Sequence, residues 1–456
     1  MSNQVINPST GMQEMVFSLN SEEDLHNALV EGDKYYRRQR IVPVKVLAQQ
    51  LMAIAASFRE NADNLAQTAT NNMGKLISES YAEVEATVKI AEYYAKNGPR
   101  ALEPKPYTYA GDKQAMVQYE STGTIVAIEP WNFPYTQVMR VFAPNFLLGN
   151  AVILKHASIV AGCALAIEQT IIDAKVDAAA LQNLFLTNEQ VAQLIQDRRI
   201  QGVALTGSTG AGRAVACEAG QALTKVTLEL GGNDAFVVLE HADVQQAIKD
   251  GATSRLRNAG QVCTSAKRFI VHQAVVEEFT TGMIEEFKSR RVGDANDPDT
   301  TLAPLASRNA AEMLQWQVDT AIENGAEVLV DGGMVDDEEG NFFTPVLLTN
   351  IKRDNPMFDQ EFFGPVGQIY VVKDNEEAVK LANQSQYGLA GAVYSQSVGE
   401  AKSIADQIET GQVFINQPSN GYPEIPFGGV KNSGFGREMS ELALYEFANQ
   451  KMVALG

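Results

Sequence analysis

Gly202-Val203-Ala204-Leu205-Thr206-Gly207-Ser208-Thr209-Gly210-Ala211-Gly212 passes from a short, almost wholly apolar run through a glycine-rich turn into residues with helical period. Such a run reads as a strand buried on both faces. The turn presents unpaired N–H groups at a helix start expected near Ala211, where the helix dipole favours a phosphate. Its spacing departs from G-x-G-x-x-G, so by itself it does not separate a phosphate loop from a plain connector. The same alternation continues in both directions. Strands are predicted at residues 124–129, 152–155, 183–186, 202–206 and 226–230, with helical periods at 159–174 and 190–197 between them. A βαβ series of this kind implies a doubly wound parallel sheet, in which ligands bind at the carboxyl ends of the strands.

Downstream, a second α/β region is predicted from Gly231, with strands at 235–239, 268–272, 328–331 and 367–372 and helices at 276–288 and 376–383. Upstream, residues 21–97 have helical period, with Leu47, Leu51, Ile54 and Phe58 on one face. Between the helices and the first sheet, residues 104–120 combine Pro104, Pro106 and Gly111 with alternating Tyr107, Tyr109, Met116 and Gln118. That pattern predicts a protruding hairpin, an arm for assembly. The acidic run at 336–339 reads as a solvated loop.

The chain has 456 residues, room for about three domains of roughly 150 residues. Lys and Arg number 36 against 56 Asp and Glu, a net charge of -20 that repels nucleic acid and anionic lipid. An anionic ligand must therefore be met by individual cations near a site. The longest uncharged apolar stretch, residues 141–154, falls short of the ~20 needed to span a bilayer. The N-terminus lacks the basic start and apolar segment of a signal peptide, so the expected location is the cytoplasm. Cys163, Cys217 and Cys263 are odd in number and lack metal-ligand spacing, which argues against a disulfide framework and a zinc site. Cys163 and Cys217 fall in apolar or small-residue helices and read as buried small hydrophobes.

Cys263 differs. It follows Asn258-Ala259-Gly260-Gln261-Val262 on a loop between a helix and a strand, a setting that suits a nucleophile. Glu229 is a carboxylate in an apolar strand, followed by Gly231-Gly232, an arrangement that raises a pKa towards that of a general base. Trp131-Asn132-Phe133-Pro134 puts an amide donor at a strand end, suited to a developing oxyanion. Lys155 closes another strand, within reach of ribose hydroxyls or a phosphate.

These segments, together with Leu228-Glu229-Leu230-Gly231-Gly232, Glu361-Phe362-Phe363-Gly364-Pro365-Val366 and Pro426-Phe427-Gly428-Gly429-Val430-Lys431, resemble the aldehyde dehydrogenase superfamily in order and approximate spacing over nearly the whole chain. The resemblance implies an α/β fold: a doubly wound cofactor domain at 1–103 and 122–230, an α/β catalytic domain at 231–432, and a β oligomerisation arm at 104–121 and 433–456. It implies that Cys263 attacks the aldehyde as a thiol nucleophile. Asn132 and the Cys263 N–H form the oxyanion hole, and Glu229 activates the water that hydrolyses the thioester. Cofactor contacts fall to Trp131, Lys155, Ser158, Gly207, Ser208, Gly212, Leu230, Glu361 and Phe363. The expected partners are a small aldehyde and further copies of the chain, as a homodimer or homotetramer, with no metal.

Two departures from the family pattern bear on function. Many NAD-using relatives carry Glu where this chain has Ser158, in Lys155-His156-Ala157-Ser158. A glutamate there repels a 2'-phosphate, whereas a serine beside Lys155 can donate to one, so NADP is expected over NAD, with NAD accepted less well. A serine at a helix start also suits a simple cap. Secondly, Thr264 and Ser265 follow Cys263, so no neighbouring thiol exists for a redox-switch disulfide. The positions of Arg140 and Arg257 are similar to those of the arginines that bind the substrate carboxylate in succinate-semialdehyde dehydrogenases of the family, and the resemblance adds Ser419 as a further contact. Succinate semialdehyde is thus the expected substrate; glutarate semialdehyde, a neutral aldehyde or a non-catalytic relative are the alternatives. Glu229 favours release to water over transfer to coenzyme A.

Overall fold

The computed structural model describes residues 3–335 and 339–456. Most of the acidic run expected as a loop, residues 336–338, lies outside the described residues. Four helices come first: Glu22–Gln39, Val44–Glu60, Ala62–Met73 and Ile77–Ala101. Ser21 opens the first with a capping box to Asp24. Leu47, Leu51, Ile54 and Phe58 are each no more than 1% exposed and join one apolar core with the helix Thr136–Leu148.

Thr124–Glu129 is the central strand of a six-stranded sheet. On one side lie Ala151–His156 and Leu181–Asn183; on the other lie Ile200–Thr206, Lys225–Glu229 and Gly434–Phe435. All pairs are parallel except the last. The chain winds outward in both directions from Thr124–Glu129, so the carboxyl end of that strand is the topological switch point, where doubly wound sheets open a crevice. Trp131 and Asn132 follow it after Pro130. Gly434–Phe435, in the stretch expected to belong to the arm, instead closes the edge of this sheet.

The strand predicted at 183–186 forms at Leu181–Asn183. Beyond Asn183 the backbone turns to the N-terminal segment: Phe185 N donates to Asn20 Oδ1, and Asn20 N donates to the Phe185 carbonyl. Leu184 still donates its N–H to the Leu154 carbonyl (2.9 Å), and Leu184 and Leu186 are buried in the core between the sheet and its flanking helices. Cys217 is exposed on its helix, which corrects the expectation of burial; Cys163 is fully buried.

The second sheet has seven strands in the order Glu327–Val330, Val346–Thr349, Val366–Val372, Arg268–His272, Ala235–Val238, Ala390–Tyr394 and Gln412–Ile415. Only the first pair is antiparallel. Three of these strands, Val346–Thr349, Ala390–Tyr394 and Gln412–Ile415, were not predicted. They are four or five residues long, and Ala390-Gly391-Ala392 has none of the branched residues that mark a strand.

The predicted hairpin forms as Lys105–Tyr109 and Lys113–Glu120, and Asn449–Ala454 pairs along it to make a three-stranded antiparallel sheet. The chain enters that last strand through Phe447, whose carbonyl accepts from Thr122 Oγ1 (3.0 Å) and Asn150 Nδ2 (3.3 Å). No helix among the described residues is long and apolar enough to cross a membrane. Gly202 lies under the Phe447 ring: a Cβ there would stand 2.3 Å from Cδ1. Gly202→Ala is therefore expected to displace Phe447 and loosen the C-terminal strand, at a cost of about 1–3 kcal/mol. A lowered thermal-unfolding midpoint checks this.

Candidate active site

Asn132, Asn258 and Gln261 meet in a buried seam between the switch point and the loop that carries Cys263. Asn132 Nδ2 donates to the Gln261 carbonyl (3.0 Å), and Asn258 Nδ2 donates to the Asn132 carbonyl (3.0 Å). Asn258 and Ala259 both take left-handed backbone, with φ of 51° and 50°, a conformation that needs support from its surroundings. Glu79, on the helix Ile77–Ala101, provides part of it by accepting from the Asn258 N–H at 3.0 Å. The loop after Thr124–Glu129 is held by His156, whose Nε2 donates to the Pro134 carbonyl at 2.9 Å. Burial pushes the His156 pKa down to about 4, so the ring stays neutral.

Two cavities meet at Cys263 and Gln137. One, of about 470 Å³, opens among the carboxyl ends of the six-stranded sheet and is lined by Trp131, Asn132, Gly207, Ser208, Glu229 and Glu361. The other, of about 340 Å³, is lined by Phe133, Arg140, Arg257, Asn420 and Tyr422. Burial pushes the Cys263 thiol up to about 12, opposed by Lys267 and Arg140 and assisted by Glu361 and Asp234. The Cys263 N–H has no hydrogen-bond acceptor among the described residues.

Glu229 ends its strand 4% exposed, with no hydrogen-bond partner for either carboxylate oxygen. Burial and then Glu438 raise its pKa well above the usual carboxylate range, while Arg140 and Arg437 pull it back. The group thus holds a proton more firmly than an ordinary carboxylate, as a base working near neutral pH requires.

On the first cavity, Ser208 caps the helix Thr209–Ala222, its Oγ accepting from Ala211 N at 3.2 Å, so the cavity faces a helix N-terminus. The helix begins two residues before its predicted start because Ser208 supplies this cap. The Trp131 and Phe363 rings meet edge to face with centroids 5.7 Å apart. Leu230 forms part of the wall, whereas Gly212 lies off it: a Cβ there would stand 2.7 Å from Leu230 Cδ1, so Gly212 acts by letting Leu230 pack. Lys155 and Ser158 lie beyond the wall of this cavity, at the end of Ala151–His156 and the turn after it. Burial lowers the Lys155 pKa. The cap position of that turn is Ala157, and Ser158 makes no side-chain cap bond.

On the second cavity, Arg140 lies 3.6 Å from Glu438 and 4.4 Å over the Phe427 ring, with Gly421 packed against its guanidinium. Arg257 Nη1 donates to Asn420 Oδ1 at 3.5 Å, and burial lowers its pKa. Ser419 does not reach the cavity; its hydroxyl donates to the Gly391 carbonyl at 3.4 Å, and the neighbouring Asn420 takes the wall instead. The sequence reading missed Gln137, Asn420, Glu79 and Lys267. Gln137 lies one helical turn before Arg140, and Asn420 adjoins Ser419, so both were signalled only by their neighbours. Lys267, a charge leading into an apolar strand, was the more visible signal.

This is an α/β protein built on two large, mainly parallel sheets, with a half-buried thiol between a crevice at the strand ends and an arginine-lined cavity. The profile of the Aldehyde dehydrogenase family matches residues 1–453. The chain is 42% identical to a succinate-semialdehyde dehydrogenase (NADP(+)) of Deinococcus radiodurans, over 98% of this chain and 94% of that one. It is 39% identical to a succinate semialdehyde dehydrogenase (NAD(P)+) of Escherichia coli, over 98% and 96%. The crystal structure of succinic semialdehyde dehydrogenase from Streptococcus pyogenes in complex with NADP+ superposes with a TM-score of 0.97 at 43% identity, covering 99% of each chain. The chain belongs to the aldehyde dehydrogenase family and has its fold.

Gly428 tests the placement of Glu229. A Cβ at Gly428 would stand 2.7 Å from Glu229 Oε1 and 2.8 Å from the Gly436 carbonyl, at a φ of 152°. Gly428→Ala is expected to shift the carboxylate and lower kcat by about 10-fold or more, within the range of general-base effects. Steady-state kinetics on a variant that keeps the parent circular dichroism spectrum checks it.

Proposed function

We propose that this chain oxidises succinate semialdehyde to succinate with NADP as the preferred cofactor. The observation that carries the reading is the pairing of Arg140 and Arg257 on one cavity that ends at Cys263, in a chain of net charge -20. Two guanidinium groups on one small cavity suit an aldehyde whose far end is a carboxylate. The NADP- and NAD(P)-dependent relatives named above support the same substrate and cofactor.

Cys263 Sγ gives its proton to solvent and adds to the aldehyde carbon. The Asn132 Nδ2 hydrogen not used on Gln261, with the free Cys263 N–H, donates to the oxyanion of the thiohemiacetal. Loss of hydride from the thiohemiacetal carbon, for which bound NADP would supply the acceptor, leaves the Cys263 thioester. Glu229 then takes a proton from the water that attacks the Cys263 thioester, releasing succinate and restoring the thiol. The residues fit a dinucleotide: the helix start at Ser208 suits the pyrophosphate, Glu361 the nicotinamide ribose and Phe363 the ring, with Lys155 and Ser158 further out towards the adenosine end. In this reading residues 1–103 and 122–230 hold the cofactor, 231–432 carry the nucleophile, and the arm joins copies into a homodimer or homotetramer in the cytoplasm.

Replacing Arg140 or Arg257 by Met removes one charge-assisted contact to the substrate carboxylate. Each variant is expected to lose kcat/KM for succinate semialdehyde by roughly 10- to 100-fold, and for butanal by only a few-fold. Equal losses on both aldehydes would remove the substrate assignment. For the cofactor, Ser158→Glu is expected to lower kcat/KM with NADP by about 10-fold or more and leave the NAD value within a few-fold. A parent enzyme that favours NAD, unchanged by the substitution, would reduce Ser158 to a local structural role.

A further inference from the structure

Beneath Cys263 the chain buries a charged cluster that the steps above do not use. Lys267 is fully buried: Nζ donates to the Val262 carbonyl at 3.0 Å and to the carbonyl of Cys263 itself, and lies 2.9 Å from Glu361 Oε1. Arg255, also fully buried, donates to the Gly260 carbonyl, and its Nε and Nη1 have no partner among the described residues. Asp234 Oδ1 accepts from Ala390 N at 3.2 Å, and its Oδ2 has no partner. Arg268 directs its donors to the carbonyls of Asn233, Leu381 and Ala382. The approach is close on every side: a Cβ at Gly232 would stand 2.7 Å from Asp234 Oδ1 and 2.9 Å from the Cys263 carbonyl oxygen, and one at Gly231 would stand 2.3 Å from Glu361 Oε2.

Three cations, Lys267, Arg255 and Arg268, face two carboxylates, Glu361 and Asp234, so the cluster is one negative charge short. Burial lowers Arg255 to about 9, still protonated at neutral pH, and raises Asp234 to about 7, which widens the deficit. An excess buried positive charge stabilises an anion formed beside it. Cys263 is the ionisable group on that side of the cluster. Its other charged neighbours are Arg140, on the helix Thr136–Leu148, Arg257, on the preceding turn, and Glu229 across the first cavity.

We infer that Lys267 is a positioning residue for the Cys263 thiolate: its buried ammonium grips the nucleophile's own carbonyl, supplies the charge against which the thiolate forms, and is held in place by Glu361. This rests on Cys263 being the nucleophile. It goes further in tying thiol ionisation to the carboxylate assigned to the nicotinamide ribose, because both depend on one ammonium.

The test is the pH dependence of Cys263 alkylation by iodoacetamide, measured without substrate in a Cys217→Ser background so that the exposed thiol does not interfere. Lys267→Met is expected to move the alkylation midpoint upward by about one pH unit or more, slowing the reaction at pH 8 by about 10-fold, and to raise the KM for NADP. Lys267→Arg is expected to restore part of the shift. Glu361→Gln removes a negative charge from the same cluster and is expected to move the midpoint the other way, speeding alkylation at pH 8, although it too weakens cofactor binding. A merely structural role would lower stability or kcat in both variants without opposite shifts of the thiol profile. Should Lys267→Met fail to fold by circular dichroism, Lys267→Arg and Glu361→Gln decide the matter. Midpoints in folded variants that stay with the parent overturn the inference. If instead Cys263→Ser keeps full dehydrogenase activity, it is the nucleophile assignment that fails.

Discussion

The amide seam of Asn132, Asn258 and Gln261 is the constraint on which the rest of the site depends. These residues are at most 3% exposed. Besides the bonds across the seam, Gln261 Oε1 accepts from Ala306 N and Gln261 Nε2 donates to the Asn258 carbonyl. Breaking one such buried bond while its partner stays buried costs about 1–3 kcal/mol. That is enough to hold Asn258 and Ala259 in left-handed backbone and to stop the Cys263 loop from relaxing. The seam also joins three separate parts of the chain: the switch point of the six-stranded sheet, the helix Ile77–Ala101 through Glu79, and the approach to the strand Arg268–His272.

Because Cys263 sits at this junction, it opens to two cavities of opposite electrostatic character. On the side of the six-stranded sheet, carboxylates stand beside a helix N-terminus, with Glu229 unpaired and Glu361 tied to Lys267. On the other side, Arg140 and Arg257 face inward. A second ion pair braces that wall: Lys75, itself buried over the Phe133 ring, pairs with Glu83. Glu83 in turn accepts from the N–H groups of Tyr135 and Thr136 at the start of the helix that carries Gln137 and Arg140. The residues that face the ligand cavities are thus positioned by buried charges one layer behind them, where the low dielectric makes each interaction stronger than it would be in water.

Much of this architecture was legible along the chain. The strands 124–129 and 268–272 and the helix 276–288 formed at their predicted bounds, because each is a continuous apolar run or a clean helical period with punctuation at its ends. The short strands Ala390–Tyr394 and Gln412–Ile415 were not legible, since their residues become strands by lying in a ladder with distant partners rather than by local preference. Likewise Leu184 to Leu186 are apolar enough for a strand, yet only Leu184 still bonds to the neighbouring strand, at the Leu154 carbonyl, while Phe185 turns to Asn20, far away in sequence.

The sequence by itself determined the α/β plan and the family, and it singled out Cys263, Glu229 and Asn132 as candidates for the site, because residue type and local spacing carry that information. Only the tertiary structure decided that Arg140 and Arg257 share one cavity, that Asn420 rather than Ser419 reaches its wall, that Gly212 packs under Leu230, and that Lys267 bridges the Cys263 carbonyl and Glu361. The physical reason is the same in each case. These facts are distances between residues far apart in the chain, or directions of single side chains, and both are set by packing and buried hydrogen bonds rather than by the local pattern.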